Sequence, residues 1–183
     1  MATNKVNLGT GNATGMFYTA PVGTALPTDG SASLSSWTEV GAVSSDGITW
    51  STGKDSEALR NWAKEVERLV SSDEGGTVSA PLMYTEKKTL ELIFGADNVS
   101  VQAATAQHGA TISVTVEPGV SASPAAFLFV MKDGDDIIFL GTSKGMVTEI
   151  DDIAFSSGEA IVWNVTIEAA SWTFLKDDGQ LTS

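Results

Sequence analysis

The sequence contains no cysteine, a single histidine, and only 10 basic residues against 23 acidic ones. Without cysteine, the chain can have no disulfide framework, thiolate metal site or cysteine nucleophile. With so few Lys and Arg residues, it lacks the positive charge that neutralises phosphates, so we do not expect specific binding to nucleic acid. No stretch approaches the roughly 18 apolar residues of a membrane-spanning helix, and the first residues lack the apolar segment of a signal peptide. We therefore expect neither a membrane span nor export.

The polar residues do not form a recognisable active site. His108 lies in a loop of small residues, and a general base there would still need a nucleophile and an orienting acid. Asp133, Asp135 and Asp136 lack the spaced oxygen ligands and distal Glu of an EF-hand loop, so we interpret them as a solvated hairpin turn. The sequence predicts no catalytic, cofactor-binding or metal-binding residues, and we expect the protein not to be an enzyme.

The length of 183 residues predicts one domain that needs no covalent staple. The net charge of −13 is unevenly distributed. Residues 1–92 hold 11 acidic and 7 basic side chains, whereas residues 93–183 hold 12 acidic and 3 basic ones. From composition alone, this acidity need do no more than keep the protein soluble.

Turn signals and apolar patterning indicate a mainly β protein. Four Asp-Gly pairs punctuate runs of β-branched and aromatic residues, which is typical of hairpins. Two unbroken apolar runs, residues 127–131 and 137–140, flank the turn at 132–136. Because both faces of these runs are apolar, we expect two strands at the sheet centre that are covered on both sides.

Further strands are expected on either side of this hairpin. After Gly158, the residues Ile161, Trp163, Val165 and Ile167 fall on one face of an alternating strand, which should face the core. Shorter strands are expected at 38–43, 110–117 and 146–150.

One short helix is predicted at residues 85–94. Leu90, Ile93 and Phe94 form an apolar stripe, Thr85 can cap the start, and Gly95 can supply a left-handed stop. Residues 55–71 are ambiguous. Leu59, Trp62, Ala63, Val66 and Leu69 have helical spacing there, which favours an amphipathic helix.

Four segments resemble the tail tube (major tail) proteins of long-tailed bacteriophages. They are residues 15–28 (GMFYTAPVGTALPT), 40–48 (VGAVSSDGI), 55–57 (DSE) with Trp62 close behind, and 147–150 (VTEI). The resemblance implies a β-sandwich or barrel-like fold with one flanking helix, forming a single domain over residues 1–183. It also implies a flexible N-terminal arm at 1–14, a protruding inter-subunit loop with its return strand at 46–70, and a C-terminal tail at 173–183. On this basis we assign residues 64–71 to a strand rather than a helix.

The resemblance also implies a structural role in the virion tail. Such subunits stack as hexameric rings into a hollow tube through which DNA passes without specific binding. A tape-measure protein and a tail-terminator protein are the expected partners, the host cytoplasm is the expected place of assembly, and no membrane or cofactor is involved.

Two groups of residues are candidates for this role. Asp55, Glu57 and Arg60 precede Trp62 in one short segment, and an aromatic anchor with a polar rim is typical of an interface. Thr148 and Glu168 are candidates for side chains that face the lumen.

An alternative function is a monomeric carbohydrate- or host-binding β-sandwich. In that case Trp50 and Trp172 would be exposed platforms on which sugar rings stack. The assembly state separates the two hypotheses.

Overall fold

The computed structural model describes residues 10–11, 17–60, 62, 66–73, 75–116 and 122–179, with backbone alone for 10–11, 54–60 and 66–73. Within these residues the chain is mainly β, with one α-helix, α1 (Lys87–Phe94). The strands are β1 (Thr10–Gly11), β2 (Phe17–Ala20), β3 (Thr38–Gly41), β4 (Thr49–Ser51), β5 (Lys54–Arg60), β6 (Val66–Asp73), β7 (Gly76–Leu82), β8 (Val99–Gln102), β9 (Thr111–Val114), β10 (Ala125–Asp133), β11 (Asp136–Ile150), β12 (Trp163–Ala169) and β13 (Thr173–Asp177).

One large antiparallel sheet carries nine of these strands, in the order β3-β2-β10-β11-β12-β7-β4. β1 lies beside β10 and β13 lies beside β11. β11 is long enough to serve two neighbours on one edge, because its first half pairs with β13 and its second half pairs with β12. The remaining strands form two separate hairpins, β5-β6 and β8-β9.

The sheet curls until its two ends meet. Just beyond β3, Val43 forms a bridge with Leu82 of β7. On either side of this bridge, the Ser44 N–H donates to the Pro81 carbonyl at 2.8 Å and the Met83 N–H donates to the Ala42 carbonyl at 3.0 Å. The sheet thus wraps round one interior, which confirms the predicted sandwich or barrel-like fold.

Two apolar clusters cover opposite faces of β2, β10 and β11. In the larger cluster, Phe17 stacks on Phe129 with ring centroids 4.6 Å apart, and α1 adds Leu90 and Ile93. The smaller cluster contains Leu128 and is covered by the loop between β2 and β3. Adjacent residues of β10 point to opposite faces and both faces are buried, so the prediction of a doubly covered central hairpin is confirmed.

The helix is shorter than predicted and begins differently. It starts at Lys87, with Glu86 at the N-cap and no side-chain cap. Thr85, the predicted cap, instead accepts a hydrogen bond from Trp163 Nε1 at 3.1 Å, so that prediction is wrong. Gly95 does end the helix and has a φ of 89°, although its ψ of 144° lies outside the left-handed helical region.

The strand after Gly158 is confirmed from Trp163 onward, since Trp163, Val165 and Ile167 are buried in β12. Ile161, predicted on the same face, lies before the strand begins and is only half-buried. Three other boundaries needed correction. β3 ends at Gly41 rather than at residue 43, because Gly41 already pairs with Phe17, the first residue of β2, and Val43 bridges to Leu82 instead. β9 covers only Thr111–Val114 of the predicted 110–117. Residues 146–150 are the end of β11 and not a separate strand.

The described residues on either side of Trp62, 54–60 and 66–73, form strands and not a helix. β5 and β6 pair in antiparallel register from Lys54–Asp73 to Arg60–Val66. The strand expected at 64–71 is therefore confirmed as β6, with its start at Val66.

The three segments predicted to lie at the periphery each contain a strand. Of the predicted arm at 1–14, Thr10 and Gly11 pair with Lys132 and Met131, and the other residues lie outside the described part. The predicted loop at 46–70 contains β4, which pairs with β7 in the main sheet. The predicted tail at 173–183 begins with β13.

Thr89 provides a test of how α1 is held on the sheet. Its side chain is fully buried, and its Oγ1 donates to the Val40 carbonyl oxygen at 2.8 Å. Thr89→Val keeps the shape but leaves that carbonyl without this donor, so the free energy of unfolding should fall by about 1–3 kcal/mol. Urea unfolding measures this change.

The exposed neighbour Lys88 is the control, and Lys88→Ala should change stability by no more than about 0.5 kcal/mol. Equal effects of the two changes would contradict this account of the contact.

Candidate assembly surface

The described residues contain no cluster of His, Cys, Asp or Glu that could hold a metal ion. His108 is exposed in the loop between β8 and β9, where its Nδ1 lies 2.7 Å from the Gly109 carbonyl oxygen. In the turn between β10 and β11, Asp136 forms a 2.7 Å ion pair with Lys176 of β13. In the part of the chain for which coordinates are described, no helix has the length and apolar character needed to cross a membrane.

The β5-β6 hairpin holds the predicted interface residues. Asp55, Glu57 and Arg60 are all on β5, opposite Ser72, Val70 and Val66 of β6. Trp62 follows in the turn and is fully exposed. The hairpin pairs only within itself among the described strands, so it forms a separate two-stranded element next to the main sheet. Trp62 therefore lies just beyond Arg60, at the turn end of β5, whereas Asp55 and Glu57 lie nearer the other end of the strand.

The two tryptophans of the carbohydrate hypothesis have different environments. Trp50 of β4 is 38% exposed and stacks on Phe174 of β13, with ring centroids 6.5 Å apart and planes 6° apart. Trp172 is half-buried, packs against Phe129, and donates its Nε1–H to the Gly76 carbonyl at 2.8 Å. The expectation that Trp172 is an exposed platform is therefore wrong, and one flat exposed ring remains.

Sequence reasoning missed Phe174, which is 54% exposed. It lies in a segment predicted to be a tail, and nothing in that segment indicated that it pairs with β11. Burial alternates along β13, with Phe174 and Lys176 exposed and Leu175 and Asp177 half-buried, but apolar and polar residues do not alternate in the sequence, which therefore carried no strand signal.

Thr148 and Glu168 lie on the outward face of β11 and β12. A bulge between Val147 and Glu149 leaves both Thr148 and Glu149 exposed. Thr148 Oγ1 donates to the Thr166 carbonyl at 3.4 Å, and the Thr166 hydroxyl lies 3.2 Å from that of Ser79 on β7. The outward face of these three strands is therefore hydroxyl-rich and acidic.

A shallow depression on this outward face includes Thr148 and Glu168, with Lys144 at its edge. Both predicted lumen residues are therefore on the solvent side of the sheet.

At the other end of β11, a carboxylate fastens the loop between β2 and β3. Asp177 of β13 accepts hydrogen bonds from the Gly30 N–H at 2.5 Å and from the Gly179 N–H at 2.9 Å. These backbone donors, Gly30 first, lower the pKa of the Asp177 carboxyl. In the same loop, the Ser31 hydroxyl and N–H lower the pKa of Asp29. Asp177 thus ties to β13 the loop whose residues Leu26, Leu34 and Trp37 belong to the smaller apolar cluster.

Replacement of Asp177 tests this contact through its dependence on pH. In Asp177→Asn one acceptor oxygen becomes an NH₂ group that faces an N–H donor, so the variant should be less stable than the wild type. Because the folded pKa is lowered, the extra stability of the wild type is present above the ordinary Asp pKa of about 3.9 and is lost as the pH falls through the folded value. Chemical unfolding between neutral and acidic pH measures the difference.

The control for this experiment is Asp152→Asn, which removes the same charge from an exposed position after β11. A stability gap for Asp177→Asn that does not shrink at acidic pH would contradict the account. So would an equal gap for the control.

A family model described as phage tail tube protein matches residues 1–179 of the chain. No similar sequence was found among curated proteins.

Proposed function

Since the chain belongs to the phage tail tube protein family, we propose that it forms hexameric rings that stack into a hollow tube through which DNA passes. Membership of the family makes the protein a structural subunit of the virion tail. The family is structural and not enzymatic. The ring symmetry, the stacking and the passage of DNA are the steps proposed beyond this.

The fully exposed Trp62 at the turn of the β5-β6 hairpin is the observation that carries the proposal. A large aromatic side chain that is fully exposed in its own subunit forgoes the favourable free energy of burial there. It recovers that burial when it enters a pocket on another molecule, as interface anchors do. We therefore assign Asp55, Glu57, Arg60 and Trp62 to an inter-subunit contact, in which the charged residues form the rim.

Two open strand edges offer a further route to assembly. Among the described strands, β4 pairs with β7 alone and β13 pairs with β11 alone. The unpaired N–H and C=O groups of an edge strand can continue a sheet into another chain. The stacked Trp50 and Phe174 join these two edges and add apolar area beside them.

We assign the outward face of β7, β12 and β11 to the lumen wall. Thr148, Glu149 and Glu168 are all exposed on it, and Ser79 extends it onto β7. Six copies of such a face would form a ring of carboxylates. At physiological salt, charges within about 8 Å repel appreciably, so DNA passing close to this wall would not adhere to it.

In this proposal the subunits assemble in the host cytoplasm. A tape-measure protein inside the tube sets its length, and a terminator protein ends it. The chain needs no sequence-specific contact with DNA, which agrees with its 10 basic and 23 acidic residues.

Trp62→Ala should weaken assembly and leave the monomer intact. If Trp62 is a hot spot, each lost contact should cost about 2 kcal/mol or more of association free energy. The critical concentration for assembly, measured by light scattering, should rise accordingly. Negative-stain images should show six-fold rings or tubes for the wild type at a concentration where the variant shows none.

Phe155→Ala is the matched control, because Phe155 is an exposed aromatic residue outside the hairpin. It should assemble like the wild type. A Trp62 variant that unfolds early in thermal melts would show that Trp62 stabilises the subunit itself, and wild-type protein that stays monomeric at millimolar concentration would contradict the claim of intrinsic assembly.

A further inference from the structure

The β8-β9 hairpin carries an apolar face that begins in the core and continues into solvent. Val99 is buried and pairs with Val114, which packs against the larger apolar cluster. The next pair on the same face is Val101 and Ile112, which are 47% and 43% exposed. One apolar stripe thus runs from the subunit interior to its surface, and its outer half has no cover among the described residues.

The opposite face of the hairpin is polar. Ser100 and Ser113 face each other there, with their hydroxyl oxygens 2.7 Å apart, and both are exposed. Because strand residues alternate between faces, the two faces can be probed independently at adjacent positions. The exposed apolar pair is therefore a property of one face and not of the hairpin as a whole.

The hairpin also lacks the features that protect exposed strands from pairing. Residues 98–116 contain no Lys, Arg, Asp, Glu or Pro. Natural edge strands are usually blunted by charges or proline, and an isolated two-stranded hairpin is marginal in water. Among the described strands, β8 and β9 pair only with each other. The hairpin thus exposes its strand edges and an apolar face without charged residues or proline to protect them. We take this to indicate that another molecule covers the hairpin when the protein functions.

Charge indicates what covers it. The whole chain carries a net charge of −13, so two copies repel each other wherever their acidic surfaces approach. The β8-β9 hairpin carries no Asp, Glu, Lys or Arg side chain, unlike the rest of the chain. A contact made through the hairpin therefore does not bring additional carboxylates of two copies together. A basic partner would be drawn instead to the carboxylates around the β10-β11 turn, and a nucleic acid would be repelled by the body as a whole.

We propose that the Val101–Ile112 face of the β8-β9 hairpin docks on a second copy of this chain in the assembled tube. The inference rests on the proposed function, which supplies many copies at high local concentration. It adds a self-association surface separate from the β5-β6 hairpin, in a part of the chain that resembled no family motif.

The absence of cysteine allows a direct test, because a single introduced thiol is the only one in the protein. Val101→Cys places it on the apolar face, and Ser100→Cys places it on the polar face of the same strand. The reaction rate with a maleimide reagent is measured for monomers and for assembled tubes. We expect both thiols to react readily in the monomer, and the thiol at position 101 to slow by roughly tenfold or more in tubes while that at 100 slows less.

A second pair on the facing strand, Ile112→Cys and Ser113→Cys, repeats the measurement in case a cysteine at position 101 itself prevents assembly. Loss of assembly by both apolar-face variants, with the polar-face pair unaffected, would also support the inference. Equal protection of the two faces in tubes would overturn it, and so would a thiol at 101 that is already protected in the monomer, which would mean that the chain covers its own hairpin. If the wild type forms no tubes at all, the proposed function fails, and this outcome is distinct from tubes in which position 101 remains reactive.

Discussion

The closure of the main sheet depends on a short set of contacts between residues 42–44 and residues 81–83. The Val43–Leu82 bridge and its two flanking backbone hydrogen bonds join the chain beyond β3 to β7. With the ends joined, every strand between them gains one face towards a shared interior. The aromatic residues Phe17, Phe127 and Phe129 fill this interior, and α1 packs against the same cluster. The outward face of β7, β12 and the second half of β11 is thereby left exposed to solvent.

This arrangement divides the surface into parts with different chemistry. The outward side of β7, β12 and β11 is polar and acidic, and the β4 and β13 edges carry the stacked Trp50 and Phe174. Among the described strands, two hairpins pair only within themselves. One of these hairpins has an exposed tryptophan at its turn, and the other is uncharged with an apolar face. A net charge of −13 makes such neutral and aromatic elements the natural places for copies to meet.

The sequence predicted the elements whose pattern is set by burial. The central β10-β11 hairpin, the alternation in β12 and the single helix were all recognisable, because apolar spacing follows directly from which faces are buried. Prediction from the sequence failed where a tertiary contact determines the local structure. Thr85 bonds Trp163 instead of capping the helix, Trp172 is half-buried by a contact with Gly76, and β13 forms only because β11 offers it an edge. Helical spacing at 55–71 was overridden by hairpin pairing.

A helical reconstruction of the assembled tube by electron cryomicroscopy tests the central claim most directly. The account predicts six subunits per ring, with the outward face of β7, β12 and β11 on the inner wall and with Thr148 and Glu168 directed into the lumen. A tube in which this face lies on the outer surface, or in which the inner wall is neutral or basic, would contradict the account. The acidity of the chain would then serve solubility alone.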